Sequence, residues 1–207
     1  MREKSYRTVQ PIRSKKDREA IGKYLKAKNL RDYTLFEFGT RVGRRISDLC
    51  SLDVDDVSYI DERGRLVISE RLIVKESKTG KFISLLINEQ AQRALRKYLR
   101  QRLESVADVQ QLLKQPLFSS QKRNSKGEYR LSRWQVWYIL SSAARACGLD
   151  IRVGTHSLRK TFGYVLYKQG VALELIQKIF NHSSQDVTLS YIGITQDDLD
   201  TALREMR

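Results

Sequence analysis

The chain has two histidines, and each stands at a fixed distance from a residue suited to phosphate chemistry. His156 precedes Arg159 by three residues in THSLRKTFGYVL, and His182 precedes Tyr191 by nine in NHSSQDVTLSYIGI. Residues three apart share one helix face, so His156 and Arg159 would point the same way. Upstream, Arg45 opens a helix in VGRRISDL and Lys78 lies in the turn of ESKTGK. Breaking a phosphodiester without a metal needs an activated attacking group, neutralisation of the extra charge on five-coordinate phosphorus, and a proton for the departing alkoxide. Arginine suits the second task, because its planar fork binds two phosphate oxygens and keeps its charge. A desolvated lysine suits the third. Tyrosine suits the first as a covalent nucleophile, provided that cations or a base offset its free pKa of about 10.

Each fragment alone also has an ordinary reading. A histidine three residues before an arginine is common helix surface polarity, and GRRISDL is an ordinary basic helix start with Asp48 available for a local pair. KTGK is by default a solvated turn, and it lacks the upstream glycine and following Ser/Thr of a phosphate-cradling loop. Tyr191 is one of ten tyrosines and could simply pack a core. The order of all of them along one chain is what carries information.

Composition agrees with a polyanion partner. The 207 residues carry a formal charge of +15, with 41% hydrophobic and 30% charged residues. The positive excess is concentrated in residues 1–50 and 111–160, while 51–110 is near neutral and 161–207 slightly acidic. Basic excess confined to segments is the footprint of a nucleic-acid-binding face. Nothing approaches a run of about 18 apolar residues, and MREKSYRTVQ is not a secretory signal. A cytoplasmic protein is expected, with Cys50 and Cys147 as buried reduced thiols. No acidic cluster has metal-ligand spacing, so no metal or other cofactor is expected; DVDD near residue 53 reads as a capped turn.

These residues need elements to hold them. Ser14 would cap a first helix in SKKDREAIGKYLKAKN, and DYTLFEFGTRVG would form a more buried helix stopped by Gly43. RISDLCSL follows as a short helix. The β-branched runs RLVISE, RLIVKES and FISLLI predict a small three-stranded antiparallel sheet, the last two joined by KTGK. Helices resume in EQAQRALRKYLRQRL. The basic loop SSQKRNSKGEYR then leads to SRWQVWYILSSAARACGL, which Gly148 ends. HSLRKTFGYVLYKQG, ALELIQKIFNH and SQDVTLSYI read as further short helices. With two prolines and no Gly/Ser linker, the expected architecture is one α+β domain over 1–207, mostly helical. In the tail, Thr195 and Asp198 form a capping-box pattern, and Leu199, Ala202, Leu203 and Met206 would make one apolar face.

Arg45, Lys78, His156, Arg159, His182 and Tyr191, in this order and spacing, resemble the signature of tyrosine recombinases, the phage-integrase family. The resemblance spans roughly residues 10–200 and implies an integrase-like catalytic domain. It implies that Tyr191 attacks the scissile phosphate to give a 3′-phosphotyrosyl link, that Arg45 and Arg159 clamp the non-bridging oxygens, and that Lys78 protonates the leaving 5′ oxygen. His156 would be general base or proton relay, His182 a phosphate hydrogen-bond donor, and Asp48 a support for the second histidine or first arginine. Strand exchange would need neither metal nor ATP. The implied partners are double-stranded DNA, further copies of the chain in a tetrameric synapse with the tail helix docking in trans, and an accessory DNA-bending protein. Lys122, Arg123 and Lys126 are expected DNA contacts. Arg44 stands where the family usually has an apolar residue, and is expected to be a phosphate contact or solvated. Asn181 replaces the more frequent glycine before His182. The family's N-terminal core-binding domain has no counterpart in the 44 residues before Arg45. Two other readings share the fold: a type IB topoisomerase and a DNA-binding regulator without catalysis. The filled set of six disfavours the second.

Overall fold

The computed structural model of the protein describes residues 8–75, 80 and 82–206. Helix α1 (Lys15–Lys28) begins where the Ser14 side chain accepts a hydrogen bond from the Asp17 N–H, as its sequence predicts. Asn29 turns the chain and caps α2 (Leu30–Val42) by accepting from the Arg31 and Asp32 N–H groups. Helix α2 is the central strut, with Leu35, Phe36, Phe38 and Val42 almost fully buried. It ends at Gly43, whose φ of 61° suits glycine, and where a Cβ would collide with the Phe162 ring. The short α3 (Ile46–Ser51) follows at once. DVDD is the capped turn its sequence suggests: Asp53 and Asp56 form a reciprocal capping box around a 3-10 turn at Val54–Asp56.

The expected class, mostly helical with a small antiparallel β component, is the one observed, but the strand pairing differs. Four short strands, β1 (Ser58–Ile60), β2 (Leu66–Ile68), β3 (Arg71–Lys75) and β4 (Phe82–Leu86), form two separate ladders among the described residues. Ser58 lies opposite Ile68 in the first, and Arg71 opposite Leu86 in the second. Strand β1 is too short to show alternation in sequence. The Ser69 N–H bonds to the Val57 carbonyl and the Ile87 N–H to the Glu70 carbonyl. The link between β2 and β3 therefore spends its backbone hydrogen bonds on two outer partners, and the two strands do not join into one sheet. Lys78, between β3 and β4, lies outside the described residues.

Helix α4 (Glu89–Leu103) runs beside α2 and buries Ala91, Leu95, Tyr98 and Leu99. After α5 (Val109–Leu113) and the basic loop, a Ser132/Gln135 capping box opens α6 (Arg133–Ala146). Gly148, at φ 69°, follows its end. The remainder is helical: α7 (Ser157–Lys168), α8 (Leu173–Phe180), α9 (Gln185–Ile192) and α10 (Gln196–Arg204).

The large core joins α1–α6 around Phe38, Tyr98 and Phe118. A smaller core of Ile176, Phe180 and Ile192 ties α7, α8 and α9 together, and α2 packs on α7. Gly163 makes that second core possible: a Cβ there would stand 2.6 Å from both Ile192 and Phe180. Cys50 is buried and its thiol is pushed up to about 12 by desolvation, whereas Cys147 is only half-buried. No helix among the described residues is long and apolar enough to cross a membrane.

Candidate active site

Five of the six sequence-predicted catalytic residues fall within the described structure, on four separate elements. Arg45 is the residue before α3, half-buried, and its backbone is extended where the buried α2 gives way to α3. His156 is the N-cap residue just before α7, and Arg159 lies in the first turn of that helix. His182 follows α8, and Tyr191 lies in the last turn of α9.

Arg159 is 2% exposed. Its guanidinium donates from Nη1 to the Gly43 carbonyl and from Nη2 to the Phe180 carbonyl, both at 2.8 Å. It also lies over the Phe180 ring, 4.4 Å from the centroid. Two main-chain oxygens, one ending α2 and one ending α8, thus fix the orientation of this cation. Tyr191 sits against the same ring, with centroids 5.5 Å apart, and His182 lies 5.0 Å from the Tyr191 ring. His156 Nδ1 stands 3.3 Å from the Tyr191 hydroxyl. The His182 ring is held from its other side by Thr188, Nδ1 to Oγ1 at 3.2 Å.

Asn181 explains how His182 reaches this cluster. It is the non-glycine residue with positive φ among those described, at 53°, and it ends α8 in the left-handed region. Asparagine tolerates that conformation better than most side chains, so it can replace the glycine expected there.

The electrostatics follow from burial and two arginines. Desolvation pushes the Tyr191 phenol above its ordinary value, while Arg159 and Arg45 pull it back. His182 is lowered to about 4, first by desolvation and then by the same two arginines. His156 is also lowered, by desolvation and by Arg133, Lys160, Arg159 and Arg45. Both shifts favour the neutral imidazole, the form that can accept a proton.

Two other sequence expectations land differently. Arg44 is not solvated: it is 2% exposed, and its Nη2 lies 3.4 Å from the Asp48 carboxylate. A charge at this depth needs an internal counter-charge, because desolvating it alone costs several kcal/mol. Asp48, itself 4% exposed, supplies that charge. Arg44, one turn away, is an ion-pair partner of Asp48 that the resemblance did not imply. Lys122, Arg123 and Lys126 are exposed in the loop before α6. Arg123 stacks over Tyr129 there, 5.2 Å from the ring centroid. In the tail, the Thr195/Asp198 capping box forms as predicted. Asp198 pairs with Arg13 at 3.0 Å, Arg13 also donates to the Gly193 carbonyl, and Leu203 and Met206 are exposed.

Several contributors escaped sequence reasoning: the carbonyls of Gly43 and Phe180, the Thr188 hydroxyl, and Lys160, whose ammonium lies 5.3 Å from the Tyr191 ring centroid. Backbone acceptors leave no trace in side-chain identity. Lys160 was adjacent to Arg159 in THSLRK, but nothing in the one-dimensional pattern distinguishes it from a solvated lysine.

The chain matches the model of the phage integrase family over residues 14–197. It is 39% identical over 189 residues to "Probable integrase/recombinase YoeC" of Bacillus subtilis, covering 91% of this chain and 92% of that one. It is 30% identical to "Tyrosine recombinase XerD" of Corynebacterium glutamicum over 83% of this chain, and there it spans only 51% of the relative. Among solved structures, a XerA recombinase superposes with a TM-score of 0.69 at 20% identity, covering 97% of this chain and 66% of that one. XerH site-specific recombinase bound to a palindromic difH substrate gives 0.65 at 19% identity, over 96% and 54%. These structures share the fold described above. With the family model spanning most of its length and a relative of nearly equal length at 39% identity, the chain belongs to the phage integrase family of tyrosine recombinases.

Proposed function

We propose that the chain cleaves and rejoins double-stranded DNA at specific sites through a covalent 3′-phosphotyrosyl intermediate. The observation that carries this reading is the His156–Tyr191 pair, 3.3 Å apart beside an arginine anchored by two main-chain carbonyls. A buried phenol is a poor nucleophile until a base takes its proton. His156, biased toward its neutral form, is that base. As the Tyr191 oxygen bonds to phosphorus, its proton passes to His156 Nδ1. Arg45 and Arg159 take the charge that develops on the non-bridging oxygens, and the preset orientation of Arg159 avoids reorganisation during the step. His182, held by Thr188, completes the phosphate's hydrogen bonding. Lys78, between β3 and β4 and outside the described residues, gives its proton to the departing 5′ oxygen. The phosphotyrosyl bond conserves the phosphodiester's energy, so rejoining by a 5′-hydroxyl reverses the same steps without ATP or metal.

The partners we assign are duplex DNA, held by the exposed cations of the loop before α6, and further copies of the chain. Helix α10 and the Met206 that follows it, with Leu203 and Met206 open, are the segment for docking on a neighbouring protomer in a tetrameric synapse. An accessory DNA-bending protein fits the same scheme. The decisive test is a denaturing gel with a nicked duplex that traps the covalent adduct. Wild-type protein should give an adduct insensitive to EDTA, and Tyr191→Phe should give none while binding DNA nearly normally. An adduct formed by Tyr191→Phe, or cleavage restored only by magnesium, would sink the assignment. Exchanged flanks in the products mark a recombinase, and relaxation alone marks a topoisomerase.

A further inference from the structure

We propose that Lys160 is a positioning residue for the nucleophile: its ammonium, seated over the ring of Tyr191, holds the phenol for attack and stabilises the phenolate as the proton leaves. This rests on the reading of Tyr191 as the attacking group. Lys160 follows Arg159 on α7, and its Nζ lies 5.3 Å from the Tyr191 ring centroid. An ordinary surface lysine extends into water, whereas this one is half-buried and, among the described residues, forms no ion pair. It lines a cavity of about 500 Å³ with Asp186, Ser190 and Gly193, beneath the last turn of α9. Burial lowers its pKa, in keeping with a cation drawn out of solvent.

The groups around Tyr191 divide the work by where they touch it. At the start of α7, His156 faces the hydroxyl, and Arg159 adds positive charge there. Arg45, before α3, adds further positive charge, and His182 meets the ring at 5.0 Å. Lys160 is the cation directed at the ring itself. A cation over an aromatic face is attracted by the ring's quadrupole, and the attraction grows when the ring becomes anionic. A phenolate delocalises charge into its ring, so Lys160 favours the ionised form without competing for the hydroxyl oxygen. In the step described above, the Tyr191 proton goes to His156 and the 5′ oxygen takes its proton from Lys78. Lys160 keeps its protons throughout.

The experiment compares wild type with Lys160→Met, Lys160→Gln and Lys160→Arg, each paired with Tyr191→Phe as a blank. Carbon-13 NMR of Cζ-labelled tyrosine, read as the difference from the blank, isolates the Tyr191 titration from the other tyrosines. With the cation gone, Tyr191 should titrate about one pH unit higher, the size of a partly desolvated cation–π contact. Single-turnover adduct formation on a nicked duplex at pH 7 should slow about tenfold in Met and Gln, its alkaline rise moving up by the same unit. Lys160→Arg should keep both properties close to wild type. Thermal melts identify any variant that fails to fold, and the remaining neutral variant then decides. A folded Met or Gln variant with an unshifted titration and pH profile overturns the proposal, as does an Arg variant that behaves like Met. If wild type itself gives no adduct, the recombinase reading fails, and the Tyr191 titration still decides the role of Lys160.

Discussion

A histidine that burial and neighbouring arginines bias toward its neutral form leaves a mark on acid stability. His182 has an ordinary value of 6.5 and is lowered to about 4 in the folded chain. Between those two values the unfolded chain binds more protons than the folded one, so stability rises with pH across the window. The contribution is fully present above 6.5 and is lost as pH falls through 4. His156 is lowered too and adds in the same direction. His182→Gln should therefore flatten, but not abolish, the fall in melting temperature between pH 6.5 and pH 4. Thermal melts across that range check it, and equal slopes in the two proteins would assign the acid sensitivity elsewhere. At this scale the sequence was informative where chemistry is unusual. Two histidines and a tyrosine at set spacings are hard to place by chance. Arg44 shows the opposite, because its type says cation and only its depth says that the cation serves Asp48.

The elements decide where Tyr191 stands, and the contact between α7 and α9 does most of this. Gly163 lets the two helices approach so closely that a methyl group would overlap Ile192 and Phe180. Phe180 is also the residue whose carbonyl holds Arg159 and whose ring supports Tyr191. Gly163→Ala should thus cost about 1–3 kcal/mol, as overpacking does, and should slow adduct formation because α9 shifts with its tyrosine. Denaturant unfolding and the single-turnover assay measure the two effects. A variant as stable and as active as wild type would show that the α7–α9 gap yields freely. Helix limits were largely legible, since Ser14, Gly43, Gly148 and the Thr195/Asp198 pair each act through local backbone chemistry. Strand pairing was not, because the partners of Ser69 and Glu70 are chosen across the fold.

For the whole molecule, the +15 charge makes the proposed DNA binding sensitive to salt. Each phosphate neutralised releases counterions, giving a slope of about −0.9 per contact in a plot of log affinity against log salt. Removing the exposed cations Lys122, Arg123 and Lys126 together should make that slope shallower by about 2 to 3, with affinity lost evenly across DNA sequences. Binding titrations between about 50 and 200 mM salt test this. A slope unchanged by the triple substitution would remove the loop before α6 from the DNA interface. The chain spans about half the length of the Xer relatives it matches and nearly all of the Bacillus subtilis one. Comparing DNA affinity between these two kinds of relative would show what the additional length contributes.

The amino-acid order alone determined the family signature, the fold class, the basic character and most helix ends. Each rests on residue type and short-range spacing, which survive in one dimension. Tertiary structure alone decided that Arg159 hangs between the carbonyls of Gly43 and Phe180, that Arg44 is buried against Asp48, and that Lys160 covers the Tyr191 ring. Those facts depend on which backbone atoms and side chains meet across distant segments, and on which charges lose their water. Sequence spacing records neither.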